Sequence, residues 1–256
     1  LVLGIWESRV NRLTKDFIED LQQYFREAFD EDLNSGKVPT FRTVPVQKSI
    51  PVDLKVASYD RIRDLVNGSG DCIAVADCVC RQAMDVIGES CHATDLRETC
   101  LLFNETAQHH FELGIARPIT REEALLILGE AEEAGLVLQP ENAKYPQFVC
   151  CCCGCCCEVL TRAKRYPCPT ELYSTNYYCE VSPEKCRGCG KCVDICQLGA
   201  KNLEGNVSVT DYDRCIGCGN CVSICPNGAN RLMKKEPLKR PPQNSKELYS
   251  LLAATR

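Results

Sequence analysis

Cys186, Cys189, Cys192 and Cys196 follow the pattern C-x2-C-x2-C-x3-C, and Cys215, Cys218, Cys221 and Cys225 repeat it, each 29 residues after its counterpart and with Pro226 closing the second run. Thiolates at this spacing bind 4Fe–4S cubanes. Two-residue gaps let one short loop reach three corners of the cube, and the fourth thiolate must come from elsewhere. In paired runs the fourth cysteine of each run serves the other cluster. The spacing therefore predicts one cluster on Cys186, Cys189, Cys192 and Cys225, and a second on Cys215, Cys218, Cys221 and Cys196. Gly188, Gly190, Gly217 and Gly219 suit tight loops that bring N–H groups to cluster sulfur. The chemistry expected is one-electron transfer. A zinc site or a disulfide knot competes, but eight cysteines in a perfect repeat argue against both.

The chain has 22 cysteines, so eight are fewer than half. Upstream stand Cys78-x-Cys80-Arg81, Cys91 and Cys100, four thiols within 23 residues that zinc or a cubane would accept. Cys100 is expected on a helix. Arg81 could balance the negative charge of a thiolate-ligated cluster, or make a surface salt bridge. Then come seven cysteines in eight residues, Cys150 to Cys157 around Gly154. Neighbouring side chains point apart along extended chain, so the seven cannot all reach one metal. Cys150, Cys152, Cys153, Cys155, Cys156 and Cys157 are the candidate ligands, of which three or four bind and the rest support or pack. Gly154 would turn the chain, and a vicinal disulfide is an alternative for any adjacent pair. These ten positions predict a third iron–sulfur cluster, with a fourth cluster or a zinc site as alternatives. Cys72, Cys168 and Cys179 read as buried free thiols. His92, His109 and His110 read as structural, with His92, next to Cys91, the best exception.

The elements that must position these groups are legible in outline. Val10, Leu13, Phe17, Leu21, Phe25 and Phe29 recur at helical spacing from about Glu7 to Leu33. Residues 38–58 carry three prolines among β-branched residues and read as extended chain packed over a neighbour. A helical block is expected from about Asp95 to Phe111. A second should start at Thr120, capped with Glu123, with Ala124, Leu125, Leu128, Ala131 and Ala134 on its apolar face and Gly135 at its end. Short strands are expected at Tyr177–Val181 and Ala229–Met233, with Val207–Thr210 a hairpin arm. The fold class expected is α+β, a mainly helical N-terminal and middle region followed by a two-cluster ferredoxin-like domain. The segments are 1–71, a cysteine-free scaffold; 72–176, a cysteine-rich helical domain; 177–234, the two-cluster domain; and 235–256, a basic proline-containing tail with a last short helix.

Composition bounds the rest. Apolar content of 45% and charged content of 25% suit a globular protein. A net charge of −5 leaves no footprint for nucleic acid, and no apolar run has the length of a membrane span. Without a signal peptide, cysteines at metal-binding spacing predict a reducing cytoplasm, as in an anaerobe.

Residues from about Tyr177 to Lys234 resemble the bacterial two-cluster ferredoxin domain, departing from it at Gln197, where proline is usual. Beyond that region, Cys72-Ile-Ala-Val-Ala-Asp-Cys-Val-Cys-Arg81, Glu98-Thr-Cys-Leu-Leu-Phe-Asn104 and Cys152-Cys-Gly-Cys-Cys-Cys157 resemble a little-characterised family of prokaryotic 4Fe–4S dicluster proteins, over nearly the whole chain. Members often carry a further N-terminal segment of winged-helix character, which implies that this chain is a fragment. Gln82, where the family often has histidine, and the extra Cys151 are departures. The resemblance implies iron–sulfur binding and electron transfer, and it does not imply a substrate. The partner expected is a redox partner protein or an oxidoreductase complex. Two other functions compete: a cluster- or thiol-based oxidoreductase centred on residues 150–157, and a redox or metal sensor. The nucleotide fingerprint G-x-G-x-x-G and the P-loop are absent from the sequence.

Overall fold

The computed structural model describes residues 9–29 and 38–254. Its centre is a five-stranded antiparallel sheet in the order β3-β1-β2-β5-β4, made of β1 (Ile73–Asp77), β2 (Glu98–Phe103), β3 (Arg117–Pro118), β4 (Val137–Pro140) and β5 (Phe148–Cys152). The middle region is therefore not mainly helical. Cys100 lies on β2 rather than on a helix, and its Cα partner across the ladder is Cys150. The physical reason is burial on both faces. The strands IAVAD, ETCLLF and FVCCC are continuous apolar runs without polar alternation, so a period of two is hard to see in them. The helical block expected from Asp95 splits accordingly into β2 and a helix, α4, over Asn104–Glu112.

The pleat sorts side chains to two sides of this sheet. Val75, Leu101, Phe103, Val149 and Cys151 join Leu136 and Leu138 in a core with Ile62, Leu65 and Val66 of helix α2 (Ile62–Gly68) and Ala124, Leu128 and Ala131 of helix α5 (Arg121–Glu133). The α5 cap is the one expected: Thr120 Oγ1 accepts the Glu123 N–H at 3.2 Å, an interaction typically worth ~1 kcal/mol. The other side carries Val137, Phe148, Cys150 and Cys152, which pack with Phe41, Leu160, Tyr173, Leu198 and Ile216.

Residues 41–46 run extended between the sheet and the C-terminal unit. Val44 N–H donates to Leu138 O and Val46 N–H to Cys218 O, so this segment stitches the two together. The amphipathic helix expected near the N-terminus is α1 (Lys15–Tyr24), followed by a π turn over Phe25–Phe29; the remainder of the expected span lies outside the described residues. It packs Ile18 against Val79 and Ala83 of helix α3 (Val79–Val86).

The C-terminal unit pairs β6 (Tyr177–Val181) with β9 (Asn230–Lys234) and β7 (Lys201–Glu204) with β8 (Val207–Thr210). Each cysteine run wraps a one-turn helix, α7 (Lys191–Asp194) and α8 (Asn220–Ser223), entered through a left-handed glycine, Gly190 or Gly219. Gly217 has a second reason to be glycine: a Cβ there would lie 2.2 Å from Tyr177 O. Among the described residues no helix is long and apolar enough to cross a membrane. The chain closes with α9 (Ser245–Ala254).

Candidate metal centres

The two runs of the C-terminal unit fold into two cavities. One, of about 330 Å3, is lined by Cys186, Cys189, Cys192 and Cys225. The other, of about 420 Å3, is lined by Cys196, Cys215, Cys218 and Cys221. The structure thus gathers three cysteines of one run with the last of the other at each cavity. Backbone N–H groups point at the sulfurs in matching positions: Ala200 N to Cys196 Sγ at 3.1 Å and Ala229 N to Cys225 Sγ at 3.2 Å, each four residues beyond its acceptor. Ser208 N donates to Cys186 Sγ at 3.3 Å, and this bond, then one from Gly188, holds the Cys186 thiol below its ordinary value. Such donors stabilise sulfur that carries negative charge.

A fifth thiol belongs to the larger of these cavities. Cys179, expected only as a buried free thiol, is buried there and hydrogen-bonds the Cys221 thiol. Lys201 Nζ lies 3.7 Å from Cys179 Sγ and 2.7 Å from Thr210 Oγ1. Lys201 is 2% exposed and, among the described residues, has no carboxylate within ion-pair distance. A buried ammonium without a carboxylate requires another anion nearby, and thiolate sulfur is what surrounds it. Sequence reasoning missed Lys201; its place in the strand KNLE gives no signal of burial.

The third group is the upstream cysteines. A cavity of about 660 Å3 on the second side of the sheet is lined by Cys78 and Cys80 from the start of α3, Cys100 from β2, Cys150 and Cys152 from β5, and Cys157 at the start of helix α6 (Glu158–Ala163). Their thiols neighbour one another in the order Cys78, Cys80, Cys157, Cys152, Cys150 and Cys100. Bonds from Cys152 and then Cys80 pull the Cys157 thiol down to about 6, and bonds from Cys100 and Cys152 pull Cys150 well below its usual range. The same neighbours push Cys78, Cys80 and Cys152 well above the usual thiol range, so Cys150 and Cys157 are the thiolates the set favours, and thiolates are what iron and zinc bind. Cys151, Cys153, Glu158 and Val159 also line the cavity. The Gln139 amide faces the same cavity; it has Tyr173 as a neighbour, but neither group has a hydrogen bond of normal geometry.

Strand alternation decides which cysteine goes where. Cys150 and Cys152 face this cavity, while Cys151 and Cys153 turn to the α5 side. Cys151 packs in the core, and burial pushes its thiol up, as suits a neutral side chain. Past Gly154 the chain brings Cys155 and Cys156 round to Cys153 and to Cys91. The four Sγ atoms of Cys91, Cys153, Cys155 and Cys156 lie within 4.8 Å of one another.

Arg81 stands between the two upstream groups, 0% exposed. Its guanidinium donates to Cys151 O and to Thr99 Oγ1, while Nε has no partner. Among the described residues no carboxylate pairs with it. Burial disfavours its charge, but Cys78, Cys153, Cys152 and Cys91 more than offset that, and Arg81 is held firmly charged. The surface salt bridge considered for it is therefore not what it makes. His92 is exposed and its backbone N–H, not its ring, reaches the Cys155 sulfur. His110 Nδ1 lies against Thr106 O on α4, away from the cysteines. Cys72 is exposed rather than buried, and Cys168 is half-buried, outside all four groups.

The upstream and C-terminal groups are joined by short bridges. Gln197 Oε1 accepts the Gly154 N–H at 2.6 Å, and Gln197 Nε2 donates to Gly135 O at 3.0 Å. Asn220 Nδ2, from the second run, donates to the same Gly135 carbonyl at 2.7 Å. The proline usual at position 197 could make none of these bonds. Val137, buried, lines the cavity of Cys215, Cys218 and Cys221, and across the β4–β5 ladder it pairs with Cys152 of the six-thiol cavity.

Two 4Fe-4S binding domain profiles match the chain, over residues 183–199 and residues 208–229. No curated protein matches it, and neither does any solved structure. The matched segments hold both cysteine runs, which supply four thiols to each cavity with N–H groups aimed at sulfur. The chain is an iron–sulfur protein of ferredoxin-like type in its C-terminal region. Its clustered upstream cysteines add further metal-binding capacity.

Proposed function

We propose that this chain is a multicentre electron-transfer protein that passes single electrons between a redox partner protein, or a larger oxidoreductase complex, and a third iron–sulfur centre held upstream. Cys186, Cys189, Cys192 and Cys225 would hold one 4Fe–4S cluster; Cys215, Cys218, Cys221 and Cys196 would hold the second. The six-thiol cavity of Cys78, Cys80, Cys100, Cys150, Cys152 and Cys157 would hold the third. A bound cluster supplies a site that gains or loses one electron. The chain's own residues do the rest. Backbone N–H groups and Lys201 favour charge on sulfur in the C-terminal unit, Arg81 does so upstream, and apolar packing around Val137, Leu198 and Ile216 keeps water out between them.

The observation that supports this reading is a single ladder pair: Val137, which lines the C-terminal cavity of Cys215, is the Cα partner of Cys152, which lines the six-thiol cavity. Cys189 is exposed, which suits the opposite end for contact with a partner. A reducing cytoplasm is the compartment in which so many free thiols persist.

One feature favours a second reading, a cluster-based oxidoreductase. Six thiols are two more than the four irons of a cubane, and about 660 Å3 exceeds either C-terminal cavity, at about 330 and 420 Å3. A centre with ligands to spare can exchange one for a substrate.

Anaerobic iron and sulfide analysis with low-temperature EPR tests the proposal. More than eight irons per chain are expected, from cubane stoichiometry. Cys152→Ser with Cys157→Ser should lose the additional iron and its signal while the two-cluster signals survive. Eight irons, with spectra unchanged in that variant, would sink the third centre.

A further inference from the structure

We infer that Cys91, Cys153, Cys155 and Cys156 form a closed tetrathiolate site for one zinc ion, chemically separate from every iron–sulfur centre of the chain.

Geometry separates these four from the other thiols. Cys91 Sγ lies 3.7 Å from Cys153 Sγ and 3.6 Å from Cys155 Sγ, and Cys155 Sγ lies 3.6 Å from Cys156 Sγ. A tetrahedral zinc ion with Zn–S bonds of about 2.3 Å sets its sulfurs ~3.8 Å apart. The four are thus spaced for a single ion. A cubane puts a different iron behind each thiolate and spreads its ligands further.

The rest of the chain supplies the comparison. Among the described residues this is the one set of three or more metal-binding side chains gathered within 4.8 Å. The eight cysteines of the repeat form no such set, and they are the ones whose spacing suits cubanes. Nor do the six thiols of the upstream cavity, which are spread around its wall. The ten upstream cysteines are therefore two kinds of donor set: six spread around a cavity, and four converging on a point.

Charge points the same way. A divalent ion with four thiolates carries two net negative charges, and burying them demands a cation. Arg81 supplies one: it is wholly buried, has no carboxylate partner among the described residues, and leaves its Nε unpartnered. Four thiolates leave no open coordination position, the mark of a structural rather than a catalytic zinc. The structural task is visible as well. Residues 90–97 form no helix or strand, and an ion at Cys91 would pin them to the turn that reverses the chain at Gly154.

The test is zinc K-edge X-ray absorption and metal analysis on the full chain purified anaerobically with its clusters. One zinc per chain, with four sulfur neighbours at about 2.3 Å, is expected. Cys91→Ser with Cys155→Ser should lose the zinc, keeping a fifth or less, while iron content and cluster EPR stay as in the unaltered protein. A chain without zinc, zinc with nitrogen or oxygen neighbours, or a variant that loses iron in place of zinc would each overturn the assignment. If the variant does not fold, the spectrum of the unaltered protein still decides. A failure of the electron-transfer reading would show in iron and EPR and leave the zinc count unmoved.

Discussion

Arg81 and Lys201 show what a single residue can report. Both are long cations with no carboxylate beside them among the described residues, and both sit against sulfur. Replacing Arg81 with Met removes the charge and keeps the bulk. Leaving buried anions uncompensated typically costs ~3–5 kcal/mol, so Arg81→Met should lose upstream metal while retaining the two-cluster EPR signals; metal analysis beside EPR checks both. Lys201 tests a potential rather than an occupancy. A cation favours the reduced, more negative form of a nearby cluster. Lys201→Met should therefore lower the midpoint potential of the cluster held by Cys215, Cys218 and Cys221, by on the order of 100 mV for a charge several ångströms away in a medium of intermediate dielectric. A spectroelectrochemical titration reads the shift, and an unchanged potential would remove Lys201 from that role.

At the scale of elements, β5 carries most of the new information. One strand sends Cys150 and Cys152 to one centre and Cys151 and Cys153 to the other side, and Gly154 then folds Cys155 and Cys156 back. The bridge from Gln197 holds that turn: a Cβ on Gly154 would lie 2.2 Å from Gln197 O. Gln197→Ala would leave the buried Gly154 N–H without its acceptor, a loss of ~1–3 kcal/mol. Hydrogen exchange at the Gly154 amide should accelerate, while iron content holds. The repeat, its crosswise grouping, the capped helix at Thr120 and the strands flanking the runs were all legible, because spacing and capping are local signals. The central sheet was not. Its strands are short, buried on both faces and built partly of cysteine, which reads equally as ligand, core residue or loop. Cys100 looked helical beside Asn104–Glu112 for the same reason. The sorting of residues 150–157 needed the ladder partners Cys100 on β2 and Gln139 and Val137 on β4, which only the sheet pairing brings beside them.

At the scale of the molecule, the sheet is a partition with metal-binding groups arranged about it. The N-terminal segment 41–46 and the Gln197 and Asn220 bridges lock the C-terminal unit onto the end of the sheet where Val137 stands. Val137 therefore stands between the cavity of Cys215 and Cys152 of the six-thiol cavity, where the proposed second and third centres would exchange electrons. Val137→Phe would overfill a fully buried site, at a cost of ~1–3 kcal/mol. It should also slow electron exchange between the two centres without changing their iron content, measured by freeze-quench EPR after rapid reduction. An unaltered rate would mean that electrons reach the upstream thiols by another face.

The ladder at Cys150 has one more consequence. A strand shifted by one residue sends every side chain to the opposite face. In most sheets that error exposes a few apolar groups. Here it would deliver Cys151 and Cys153 to the six-thiol cavity and Cys150 and Cys152 to the core, so hydrogen-bond register acts as an address label for thiols. Inserting a single residue ahead of Cys150 should therefore scramble which element each pocket receives.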